Sequence, residues 1–129
     1  MTMRSAPTQI SDAESAVMEI LWQRSPLAAE EVVAALDKSQ DWQEATIKTL
    51  LNRLLKKKAI RAEKDGRRYL YSPLLARADW VHGQSEGLLD RLFGGRVAPL
   101  VAHFSEKGKL SRKDINELRK LIEELDNDR

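Results

Sequence analysis

The side chains best suited to chemistry in this 129-residue chain gather between Thr46 and Arg68. In the stretch ATIKTLLNRLLKKKAI, Thr46, Thr49 and Arg53 recur at i, i+3 and i+7, with Asn52 and Lys56 on the neighbouring stripe. Along one side of a helix such groups suit the edges of base pairs. Arginine makes a bidentate contact to guanine, asparagine to adenine, and a threonine methyl touches thymine. Lys48, Lys56 and Lys57, with Arg67 and Arg68 further on, suit phosphate oxygens, which fix position without reading sequence. A polar helix face is solvated by default, so this chemistry depends on what positions it.

The charge distribution favours a polyanion. From Gln43 to Tyr71 there are nine cations against three anions, a net +6, while the remainder of the chain carries −4. Segregation of this kind is an electrostatic footprint for nucleic acid. Other chemistries find little support. The absence of cysteine excludes disulfides and thiolate metal sites. His82 and His103 stand far apart with no ligand-spaced carboxylate, and the glycine turns KDGRR and FGGR lack the phosphate-loop pattern. No nucleophile, base and acid are set together. The reading is a non-enzyme with no metal and no cofactor. The opening MTMRSAPTQ has no apolar core of a secretory signal, and no apolar run is long enough to span a bilayer. A cytoplasmic protein without membrane insertion is expected.

The elements that would position the basic stripe follow from periodicity. Ser11 and Glu14 form a capping box before a first helix, with Ile10 as its staple and Ala13, Val17, Ile20 and Leu21 on its apolar face. Ser25-Pro26-Leu27 ends that helix, and AAEEVVAALDK starts a second with acids at its positive end. In the third, Ile47, Leu50, Leu51, Leu54 and Leu55 supply the buried face. AIRAEKDGRRYLYSP then alternates as a hairpin around Asp65-Gly66. Three helices and a hairpin make a winged helix-turn-helix, whose third helix enters a DNA major groove.

Beyond Pro73 three more helices are expected, the last repeating Ile115, Leu118, Ile122 and Leu125 at 3-4-3 spacing. With Leu88, Leu92, Phe93, Leu100, Val101 and Phe104, this segment carries more apolar surface than about fifty residues can bury on themselves. We expect a homodimerisation arm. The organisation read from the sequence is a tail at 1–9, a winged-helix domain at 10–74 and a helical dimerisation domain at 75–129. The fold class is mainly α with one small β-hairpin.

The motifs ISDAESAVMEILW, TIKTLLNRLLKKKAI, YLYSPL and LFGG…LVAHFSEKGKLSRKDINELRKLIEEL resemble the penicillinase-repressor and methicillin-resistance-repressor family. The resemblance implies a homodimeric transcriptional repressor on a palindromic operator with TACA/TGTA-type half-sites. The third helix would read these through Thr46, Thr49 and Arg53, with Lys48 and Asn52 nearby. It also implies control of a β-lactamase or related resistance or sensor operon. Family members that work with a membrane sensor protease are cut in the dimerisation arm before a phenylalanine, and the matching bond here is His103–Phe104. This chain has histidine where the best-known cleaved members have asparagine. The copper-responsive branch carries a cysteine motif that is absent here. Two other readings remain open at this point: a winged-helix protein-interaction module, and a ligand-sensing regulator with Trp80 and His82 lining a pocket in the arm.

Overall fold

The computed structural model describes residues 9–128, so the expected tail lies outside the described residues except for Gln9. In chain order the elements are α1 (Asp12–Gln23), β1 (Leu27–Ala28), α2 (Ala29–Leu36), α3 (Glu44–Lys56), β2 (Ile60–Asp65), β3 (Arg68–Pro73), α4 (Arg77–Phe93), α5 (Val97–Glu106) and α6 (Arg112–Asn127). The chain divides into two compact units, the first ending at Gly83 and the second beginning at Gln84.

The first unit is a trihelical core with a small sheet. Ser11 Oγ accepts from the Glu14 amide at 3.1 Å, and the Glu14 carboxylate accepts from the Ser11 amide at 2.7 Å, closing the expected capping box of α1. The inward face of α1 is Glu14, Val17, Met18 and Leu21. This stripe is rotated from the expected one, with Met18 buried and Ile20 only half-buried. Leu27, Val32, Leu36, Ile47, Leu50, Leu51, Leu54, Ala59 and Ile60 complete the core.

The sheet differs from the expected hairpin in two ways. It has three antiparallel strands in the order β1-β3-β2, because Leu27 and Ala28 pair with Tyr71 and Leu70. This two-residue strand is too short to show any alternation in sequence. The turn also falls one residue later than expected. Asp65 pairs with Arg68, leaving Gly66 and Arg67 as the central residues. Gly66 has φ +65°, which fits a tight turn with glycine in its first central position.

The division between units lies inside α4 rather than at the expected junction after residue 74. The first turns of α4 pack on α1. The Trp22 and Trp80 rings lie 5.4 Å apart, and Trp22 Nε1 donates to the Leu75 carbonyl at 2.8 Å. Arg77 meets the Glu19 carboxylate through two nitrogens at 2.7 and 3.2 Å. Trp80 is therefore a packing partner of α1, and three grooves of the second unit are lined by other residues.

In the second unit, Ser111 caps α6 with a second reciprocal pair, to Asp114. No residue of α4, α5 or α6 among those described is buried.

Candidate nucleic-acid interface

α3 buries Ile47, Leu50, Leu51 and Leu54 against the core, which leaves its opposite side to solvent. Thr46, Lys48, Thr49, Asn52, Arg53, Lys56 and Lys57 are all exposed. The Thr49 hydroxyl donates to the Ala45 carbonyl at 3.0 Å. Its proton is thus spent inside the helix, and its methyl and lone pairs remain available outside. Arg67 lies at the tip of the β2–β3 turn, and Arg68 pairs with Asp65 at 3.5 Å. Both wing arginines are exposed.

Lys57 is placed differently from the other expected phosphate partners. Its Nζ lies 2.5 Å from Glu14 Oε1 and donates to the Gln9 carbonyl at 3.0 Å. The pair joins the N-terminus of α1 to the C-terminus of α3. Glu14 is only 1% exposed. Burial pushes its carboxyl up, but the Lys57 hydrogen bond, the Ser11 bonds and the Lys57 charge together hold it below its ordinary 4.5. Lys57 is therefore engaged within the fold. The sequence hides this role because Glu14 already has a local one in the capping box.

The end of α3 sets where the wing begins. The Lys58 amide donates to the Leu55 carbonyl and the Ala59 amide to the Leu54 carbonyl, each at 3.0 Å. Ala59 and Leu54 are both fully buried. This is a Schellman ending, whose left-handed residue is usually glycine. Here it is Lys58, at φ +62°. The turn aims the chain from the helix directly into β2, so α3 and the wing are joined by only three residues.

The apolar residues expected in the arm are distributed over its three helices. Leu88, Leu92, Phe104, Ile122 and Leu125 are exposed, while Phe93, Leu100, Val101, Ile115 and Leu118 are half-buried. Leu121, outside the expected seam, is 54% exposed beside it. His103 lies in the last turn of α5, its ring 6.0 Å from Phe93 and 5.2 Å from Phe104.

The family model for the penicillinase repressor matches residues 10–124, nearly the whole described chain. This chain belongs to the penicillinase repressor family. A penicillinase repressor of Bacillus licheniformis is 38% identical over 125 residues, covering 97% of each chain. The penicillinase repressor of Staphylococcus aureus is 32% identical, covering 95% of this chain and 98% of the relative. The methicillin resistance regulatory protein MecI of Mammaliicoccus sciuri is 33% identical over 88% of this chain and 93% of its own. Among solved structures, the DNA-binding domain of the repressor BlaI matches 59% of this chain and 93% of that domain, at 39% identity and a TM-score of 0.53. The monomeric form of Bacillus licheniformis BlaI in complex with the blaP half-operator matches 57% of this chain and 90% of that chain, at 40% identity and a TM-score of 0.51.

The repressor is thus a DNA-binding protein with a winged-helix fold, in a family of transcriptional repressors rather than enzymes. Among the described residues no helix is long and apolar enough to cross a membrane.

Proposed function

We propose that this repressor is a homodimer occupying a palindromic operator of TACA/TGTA-type half-sites, upstream of a β-lactamase or a related resistance or sensor operon. One α3 enters the major groove of each half-site. Arg53, Asn52, Thr46 and Thr49 face the bases, and Lys48, Lys56, Arg67 and Arg68 hold phosphates. The observation that carries this reading is α3 itself, with four buried apolar residues on one side and exposed Thr46, Lys48, Thr49, Asn52, Arg53 and Lys56 on the other. Support comes from the relative solved with a half-operator, which is 40% identical over the matched region.

The dimer reading rests on the arm. Its helices bury no residue in a single chain, and Val101, Leu110, Ile115, Leu118 and Ile122 line an open groove of about 340 Å³. A second copy offering the same surface would remove that apolar area from water. Linking two half-site contacts raises affinity well beyond that of one.

Release by a membrane sensor protease would act at His103–Phe104. Proteases bind extended backbone, and the last turn of a helix is its most easily unwound part. Scission there would detach α6 with its seam, weaken the dimer and empty the operator.

The test is a gel shift on the repressor's own upstream region across a salt series, with the intact chain and with a chain ending at His103. If each dimer neutralises roughly 6 to 10 phosphates, affinity falls by about 10³ to 10⁵ between about 50 and 200 mM salt. Steep, palindrome-dependent binding by the intact chain only is the expected result. Equal binding by both chains would remove the arm and the cleavage from the mechanism. No binding by either would remove α3 from the groove.

A further inference from the structure

Glu44 fits poorly with the surface around it. It is the first residue of α3 and the helix's sole carboxylate, one turn from Lys48, and the helix's other charges, Lys48, Arg53 and Lys56, are all positive. Its side chain is 60% exposed, and Oε1 lies 3.4 Å from Lys48 Nζ, itself 58% exposed. An ion pair this exposed adds little to stability. Its place at the positive end of the helix is worth only a fraction of a cap. The fold therefore gives little reason for an anion there.

The DNA surface gives a stronger one. Sequence-independent affinity comes from phosphate neutralisation, and a carboxylate among the cations opposes it on every duplex. In a major groove a carboxylate has one good use, accepting from an exocyclic amine, cytosine N4 above all. The N-terminal turn of a recognition helix is also the part that meets base edges.

We propose that Glu44 is a specificity-determining residue, accepting from a cytosine amino group in each half-site and penalising DNA that offers none. In the free protein Lys48 holds the carboxylate. On the cognate site Lys48 turns to phosphate and Glu44 to the base, so the exchange leaves both charges partnered. Against a guanine or thymine edge, which offers acceptors and no amine, Glu44 is left unpartnered. This inference rests on the proposed placement of α3 in the groove.

The experiment uses the full chain, as wild type, Glu44→Gln and Glu44→Asp. Fluorescence anisotropy is read on the footprinted upstream operator, on operators with one symmetric base pair replaced at a time, and on a random duplex of equal length. At the C·G pair facing the first turn of α3, wild type should lose about tenfold or more on replacement, and Glu44→Gln less than about threefold. Glu44→Gln should also bind the random duplex more tightly, with preference at that pair moving towards A·T. Glu44→Asp keeps the charge on a shorter stem, so it should still reject the random duplex while losing the cytosine preference. Base preferences and an operator-to-random ratio unchanged in Glu44→Gln would overturn the proposal. Failure of wild type to distinguish operator from random duplex would overturn it together with the placement of α3; unaltered discrimination in wild type and variant alike would overturn the role of Glu44 alone.

Discussion

Replacing Lys57 by methionine tests whether the Glu14–Lys57 pair holds α1 to the end of α3. Methionine keeps the unbranched apolar stem and removes the ammonium, leaving Glu14 buried with one proton donor fewer. A hydrogen bond to a charged group is worth about 1.5–3 kcal/mol. Breaking a fully buried pair costs about 3–5 kcal/mol. Because the Lys57 side chain is 38% exposed, water can replace part of what is lost, and the lower range applies, so we expect a loss of about 2 kcal/mol. The pH dependence gives the sharper test. The Glu14 carboxyl is held below 4.5 in the folded state, so the pair's contribution is fully present above that value and is lost as pH falls through the folded pKa. In Lys57→Met burial dominates and the carboxyl moves up. The deficit should therefore be largest at neutral pH and should shrink as the medium is acidified below 4.5. Urea unfolding followed by tryptophan emission reads this selectively, since Trp22, Trp42 and Trp80 all lie before the division at Gly83. A deficit under about 0.5 kcal/mol at neutral pH, the range of an ordinary surface change, would refute the reasoning. So would a deficit that stays constant down the acid series.

Arg53→Ala should abolish operator recognition while leaving the unfolding midpoint unchanged, because the side chain is exposed and opposite the core; circular dichroism paired with a gel shift separates the two. Lys58→Gly should stabilise the first unit by about 0.5–1 kcal/mol, since relief of the left-handed strain at φ +62° outweighs the added freedom of the unfolded chain; a thermal melt no higher than wild type would count against that. Ile122→Asp should raise the dimer dissociation constant by about 10² to 10⁴, from the loss of about 1.5–3 kcal/mol of side-chain burial in each of two copies. Sedimentation velocity reads this directly, and an unshifted monomer–dimer equilibrium would exclude α6 from the interface.

Much of the fold was legible because helices leave long periodic marks. The apolar positions of α3 stand at i, i+3, i+4, i+7 and i+8; the first four are buried and Leu55 is half-buried. The reciprocal cap at Ser11 is written in its spacing and present in the structure. What escaped the sequence was short, shared or distant. β1 is two residues, and its pairing with β3 depends on chain more than forty residues away. Asp-Gly marked the hairpin correctly, but the registration of six pairs along β2 and β3 moved the turn to Gly66-Arg67. Glu14 had a sufficient local explanation in its capping box, which concealed its partner on α3. Trp80 stands in a helix that reads as part of the arm, yet it packs with Trp22. Of the surface expected to face DNA, the residues on α3 and the wing are exposed, but Lys57 is also tied to the buried Glu14, a link that no local spacing reveals.

The last buried side chain among the described residues is that of Ile60. In the proposed dimer, this has a consequence for how long each subunit survives. An unpaired copy shows its apolar helices to every chaperone and protease that selects for such surfaces, and a paired copy does not. Newly made subunits would therefore be cleared fastest when they are scarce and spared when they are plentiful. Dimer abundance would rise more steeply than the rate of synthesis, first through the square law of pairing and again through selective survival. Shutting off the target genes would then behave as a threshold in production, and a modest rate of cutting in the arm would carry the cell back across it.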